Sequence, residues 1–213
     1  MATAALAEAH DEHHYTSTGL PHTKIAIWAF IGSECFFFAS LIATYLIYKG
    51  RSVVGPFPHT PWVDPATGQH FKPILNIPVT SASTFVLLMS SLAMVLAHSA
   101  VVRGDRKWSK IWLASTALLG ATFLGFQAYE FTSFVHEGLK ITTNLFGSTF
   151  FTLTGFHGAH VTAGVLWLVT MLFIDFKRGL GPRDAINVDV MALYWHFVDV
   201  VWIAIFTLVY LIQ

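Results

Sequence analysis

The amino-acid sequence predicts an all-α polytopic membrane protein, a bundle of five transmembrane helices. Three observations lead there. Hydrophobic residues make up 54% of the chain and charged residues 11%, against roughly 25% charged in a soluble domain. The apolar residues gather in five runs of roughly twenty or more, enough to cross a hydrocarbon core of about 30 Å. Basic, glycine-containing or proline-rich segments separate the runs. A net charge of zero argues against a nucleic-acid partner. Cys35 is the only cysteine, so the chain holds neither an internal disulfide nor a multi-thiolate metal site.

Residues 1–22 read as a polar, His-rich tail and residues 23–213 as the membrane domain. Glu8, Asp11 and Glu12 stand among His10, His13 and His14, unlike a cleavable signal peptide. Ser17-Thr18-Gly19-Leu20-Pro21 breaks structure before the first span. That span is residues 25–48, apolar except for Glu34 and rich in small residues that let helices approach closely. Lys49 and Arg51 end it, and a proline-rich loop over 50–77 lies outside the hydrocarbon. The second span is 79–102, with Thr84, Ser91 and His98 seven apart on one face. After Gly104-Asp105-Arg106-Lys107 the third span covers 111–135. Gly120, Phe123, Gln127 and Glu130 share one face there. The fourth, 145–176, is long enough to tilt or project; it places His157 and His160 on one side. The fifth, 190–212, carries His196 and Asp199 three apart, with Trp195, Asp199 and Trp202 in a stripe.

Five spans put the termini on opposite sides. Eight Lys and Arg fall on one side (Lys24, Arg103, Arg106, Lys107, Lys110, Lys177, Arg178, Arg183) and four on the other (Lys49, Arg51, Lys72, Lys140). Positive charge collects on the cytoplasmic side, so the N-terminus is expected inside and the C-terminus outside.

Glu34, Glu130, His157, His160, His196 and Asp199, with His98, should turn away from lipid. Three uses compete. Paired imidazoles on facing helices suit a b-type haem, but these histidines lie at unmatched depths. A line of acids and imidazoles suits a proton relay, but the chain shows no inverted repeat and no helix broken at mid-membrane. The third use is structural. The groups hydrogen-bond to one another and to buried serines, threonines and tryptophans, fixing helix register at about 0.6 kcal/mol per bond.

One motif per helix then carries a family resemblance. These are Ser33-Glu34-Cys35-Phe36-Phe37, Ala97-His98 with Gly104-Asp105-Arg106-Lys107, Gln127-Ala128-Tyr129-Glu130, Gly147-Ser148-Thr149-Phe150-Phe151 with Gly155-Phe156-His157-Gly158-Ala159-His160-Val161, and Tyr194-Trp195-His196-Phe197-Val198-Asp199-Val200-Val201-Trp202. Together they resemble subunit III of the haem–copper terminal oxidases, the cytochrome c oxidase type, over residues 20–213. The resemblance implies an accessory subunit of aerobic respiration in a bacterial plasma membrane. It would pack on catalytic subunit I, contact subunit II and a small fourth subunit, bind phospholipid, and support proton uptake and sustained turnover. It implies no redox centre, catalytic residue or metal in this chain, the haems and coppers belonging to partner subunits. Glu34 matches a membrane-buried carboxyl that in the family reacts with carbodiimides. His98, Gln127, Glu130, His157, His160, His196 and Asp199 are expected to form a polar network, His196 and Asp199 pairing with groups on the third and fourth helices, and Trp28, Trp195 and Trp202 to contact lipid or other subunits. Many members carry two further helices that splay to form a lipid-filled cleft; this chain shows five spans. Quinol oxidases and proteins linked to nitric oxide reductases also have five-helix members. A free-standing haem-binding or proton-translocating membrane protein is the different-class alternative.

Overall fold

The computed structural model describes residues 19, 21–65, 68 and 70–212. Most of the predicted tail, with its histidine cluster, lies outside the described residues. Among the described residues five helices are long and apolar enough to cross a membrane. They are α1 (His22–Tyr48), α2 (Ile77–Val102), α3 (Arg106–His136), α4 (Leu145–Arg178) and α5 (Ala185–Phe206, continued by a π-helical turn at Thr207–Leu211).

Local chemistry sets the boundaries. The Asn76 side chain accepts from the Val79 amide, and Pro78 stands in the first turn of α2, where its missing N–H costs nothing. Gly104, at φ +73°, lets the chain leave α2, and Asp105 at once caps α3 through the Lys107 and Trp108 amides. Arg106 and Lys107, expected in a turn, are therefore the first residues of α3. Asn144 caps α4 through the Gly147 amide at 2.7 Å. Gly179, at φ +76°, closes α4. A 3₁₀ turn at Pro182–Asp184 leads into α5, which starts five residues before the predicted 190. At 31 and 34 residues, α3 and α4 run about 46 and 51 Å, well beyond the hydrocarbon.

The helices form a ring in the order α1, α4, α3, α2, α5 and back to α1, braced across by α4 against α5. Helix α5 is the hub: 56% of its apolar window is buried, against 17% for α1. Helix α1 leans only on α4 and α5, through Phe37 on Phe156 and Phe38 on Phe197. The 50–77 loop folds back over one end of the bundle. It holds a short antiparallel pair, Trp62–Val63 with His70–Phe71, and buries Ile74 and Leu75. Asn144 Nδ2 ties it down by donating to the Val54 and Pro56 carbonyls.

Candidate functional site

The polar side chains of the spans meet in layers around α5. At the level of Trp195 the indole is fully buried and Nε1 donates to Ser90 Oγ of α2 at 3.0 Å. Its ring lies against two glycines. A Cβ at Gly120 of α3 would come 2.6 Å from it, and one at Gly164 of α4 would come 2.8 Å from it. One side chain thus locks four helices together, which is possible only because both facing residues lack a Cβ.

One turn pair further along, Trp202 repeats the device. Its Nε1 donates to Thr84 Oγ1 of α2 at 2.9 Å; its ring stacks on His157 of α4 at 4.8 Å and meets Phe123 of α3 edge-on, also at 4.8 Å. His157 is fully buried, and neither ring nitrogen has a hydrogen-bond partner among the described residues. Next, Gln127 Nε2 donates to the Thr154 carbonyl at 2.7 Å, with its amide against Gly158. Glu130 follows, buried, accepting from the Thr80 hydroxyl of α2. Buried Tyr210 stands beside this pair.

On the α2–α5 seam the Ser91 hydroxyl and His196 Nδ1 share a hydrogen bond at 2.6 Å. Asp199 is buried in the same seam and faces Ser91; its carboxylate oxygens make no hydrogen bond among the described residues. Across the bundle, His160 Nε2 lies 3.2 Å from Glu34 Oε2. The other ring nitrogen, Nδ1, lies 2.7 Å from the Phe156 carbonyl. A carbonyl only accepts, so Nδ1 carries a proton. The Glu34 contact then needs one further proton, either on Nε2 facing a carboxylate or on the carboxyl facing a bare Nε2. Glu34 and His160 side chains are each about one-fifth exposed, 19% and 18%.

Several placements differ from the sequence reading. Trp195 and Trp202 do not reach lipid or a neighbouring subunit; at 0% and 2% exposure they are buried inside the bundle. Their N–H groups need acceptors in hydrocarbon, and Ser90 and Thr84 supply them. Trp28, at 56% exposed, does face outward. The acids and imidazoles do not join in one connected network: Glu130 and His196 each bond a hydroxyl, Glu34 lies against His160, and His157 and Asp199 make no hydrogen bond among the described residues. His196 and Asp199 face the second helix, not the third and fourth, and His98 is half-buried with no hydrogen bond among the described residues. Asp175 escaped notice altogether. It is fully buried at the end of α4, accepts from Ser109 Oγ of α3 at 2.5 Å and from the Leu180 amide at 2.8 Å. Its only signal was a carboxylate inside the last turns of an apolar run, next to basic residues that suggested a solvated end.

Similarity to known proteins decides the family. The family model described as cytochrome c oxidase subunit III matches residues 4–213. The chain belongs to the cytochrome c oxidase subunit III family. It is 43% identical to cytochrome c oxidase subunit 3 of Bacillus sp. (strain PS3), over 88% of this chain and 84% of that protein. It is 39% identical to quinol oxidase subunit 3 of Bacillus subtilis (strain 168), over 88% and 85%. It is 34% identical to cytochrome bo(3) ubiquinol oxidase subunit 3 of Pseudomonas aeruginosa, over 99% and 98%. The chain is thus an accessory, multi-pass membrane subunit of a haem–copper oxidase complex with subunit I.

Proposed function

We propose that the chain is subunit III of a proton-pumping cytochrome c oxidase in a bacterial plasma membrane. It packs on catalytic subunit I, contacts subunit II, binds phospholipid, and supports proton uptake and sustained turnover without a redox centre of its own. Its N-terminus lies inside and its C-terminus outside, as the eight-to-four split of cations favours. The observation that carries the accessory role is how the buried polar groups are used. Glu130, Gln127, Trp195, Trp202 and His196 each bond a hydroxyl or carbonyl on a neighbouring helix. His157, the one fully buried imidazole among the described residues, has an aromatic ring on each of two sides, Phe123 and Trp202. The groups close a bundle; they do not converge on a substrate.

Purification through a tag on this chain tests the reading. A haem-containing subunit I should come down with it, and the chain alone should show no haem band. A stoichiometric haem in the isolated chain, or a chain that stays alone in mild detergent while moving protons, would overturn it. A quinol oxidase is the second reading, favoured by the likeness to the Bacillus subtilis and Pseudomonas aeruginosa proteins. Copper-ligating Cys and His residues in the accompanying subunit II would select cytochrome c as donor.

A further inference from the structure

The basic end of the bundle carries an open groove of ≈ 580 Å³ between the start of α3 and the end of α4, lined by Arg106, Lys107, Lys110, Ile111, Ala114 and Phe176. We propose that this groove binds the phosphate headgroup of an anionic phospholipid, with its acyl chains running down the apolar part. The proposal deepens the phospholipid binding of the previous section and rests on it.

Helical spacing builds the groove as an amphiphile's mirror image. Arg106, Lys110 and Ala114 follow one another at four-residue steps, as do Lys107 and Ile111. Each row begins with charge at the membrane surface; the Lys107 row becomes apolar one turn deeper and the Arg106 row two turns deeper. Helix α4 repeats the profile in reverse chain order, with Lys177 at the rim and Phe173 a turn below. A merely solvated face would leave the ammonium groups in water. Here Lys110 Nζ sits 5.2 Å above the Phe176 ring, and Lys177 Nζ 4.6 Å above that of Phe173. The cations are therefore held at the rim of the apolar surface.

No acid among the described residues neutralises them. Among the described residues Arg106, Lys107, Lys110 and Lys177 make no ion pair, because each nearby carboxylate is otherwise engaged. Asp105 takes the Lys107 and Trp108 amides, Asp175 takes Ser109 and the Leu180 amide, and Asp184 pairs with Arg178 at 2.7 Å. Arg106, Lys107 and Lys110, unpaired above an apolar slot between two membrane helices, match a phosphodiester headgroup on acyl chains. Phe176 and Phe173 remain 64% and 58% exposed, open to those chains.

The test is native mass spectrometry of the whole oxidase titrated with dioleoyl-phosphatidylglycerol or dioleoyl-phosphatidylcholine. Phosphatidylglycerol should be retained on this subunit at least about tenfold more tightly. Arg106→Gln/Lys107→Gln/Lys110→Gln should abolish that preference without changing phosphatidylcholine binding, and Lys72→Gln at the opposite end should leave it intact. Ala114→Phe keeps every charge, fills the slot and should cause the same loss, which covers a triple variant that fails to assemble. Equal binding of the two lipids, or phosphatidylglycerol binding that survives both variants, overturns the site. An oxidase that assembles normally but shows no preference refutes this groove alone. A chain that does not co-purify with a haem subunit refutes the functional reading.

Discussion

Trp195 offers the sharpest test of how the bundle is specified. A Cβ at position 120 would stand 2.6 and 2.8 Å from two ring carbons of Trp195 and 3.0 Å from Val165. Carbon contacts settle at about 3.5–4.0 Å, so the ring would have to withdraw by about 1 Å. It has nowhere to go, because the Gly164 backbone bears on it from α4 and Ser90 holds its N–H. Gly120→Ala should therefore cost about 1–3 kcal/mol as an overpacked site. Trp195→Phe removes the part of the indole that abuts Gly120 together with the N–H. The hydrogen bond accounts for about 0.6 kcal/mol, and the void left behind brings the total to about 2–3 kcal/mol. Ser90 is not orphaned, since its hydroxyl also donates to the Leu87 carbonyl at 2.5 Å. In the double variant the new methyl group enters the space the indole vacated. The two costs should fall short of their sum by at least about 1 kcal/mol. Reversible unfolding of the four proteins in mixed micelles with SDS measures the cycle. Additivity within about 0.5 kcal/mol would show that the two residues do not oppose each other, and the locking role would be lost.

Three further outcomes follow from the same geometry. Asp175→Ala leaves Ser109 and the Leu180 amide without their buried acceptor and should cost about 2–4 kcal/mol, whereas Asp175→Asn keeps one acceptor oxygen and should cost less; thermal unfolding in detergent compares them. Glu34→Gln retains an acceptor for His160 across a partly exposed contact, so the subunit should stay assembled and single turnovers near normal; a subunit III missing from the purified complex would make the carboxyl a structural partner. His59 lies in the 50–77 loop, and loss of water, aided by the Lys49 charge, holds its imidazole below the usual 6.5 while the Val209 carbonyl partly offsets this. Below about pH 6.5 the unfolded loop takes up a proton that the folded loop resists. Loop stability should therefore be full above that pH and fall as the pH drops towards the folded value; amide exchange at residues 52–60 should accelerate on acidification, and His59→Gln should flatten the profile.

The fold was legible in the sequence because the bilayer imposes it. Apolar length alone located five spans, and only their first turns were misjudged, where Asp105 and the Pro182 turn start helices earlier than hydropathy suggests. The faces were legible too. Gly120, Phe123, Gln127 and Glu130 are all buried on α3, as their spacing requires. What periodicity cannot give is the neighbour that a face meets. His196 and Asp199 were expected against α3 and α4, yet the ring order sets that face of α5 against α2, at Ser91. The partners were hard to foresee for a second reason: they are serines, threonines and backbone carbonyls, residues too common in these helices to be singled out.

That choice of partner has a physical logic. In lipid no water drives helices together, so association relies on close backbone approach and on polar groups that would otherwise be stranded. Gly120 and Gly164 supply the approach, and the two indoles supply the groups. An indole N–H donates once and has no second demand, so a single hydroxyl on α2 satisfies it. A carboxylate in the same place would need two or more donors. Where the chain does bury one between helices, it provides donors: a hydroxyl and a backbone amide together at Asp175, the Thr80 hydroxyl at Glu130. Asp199 is the exception, buried in the α2–α5 seam with neither oxygen bonded among the described residues. Replacing it with Asn should therefore cost little stability, under about 1 kcal/mol, whereas the same change at Asp175 should cost more. The opposite order in a single unfolding experiment would mean that Asp199 holds the seam through a bond that Ser91 alone does not provide.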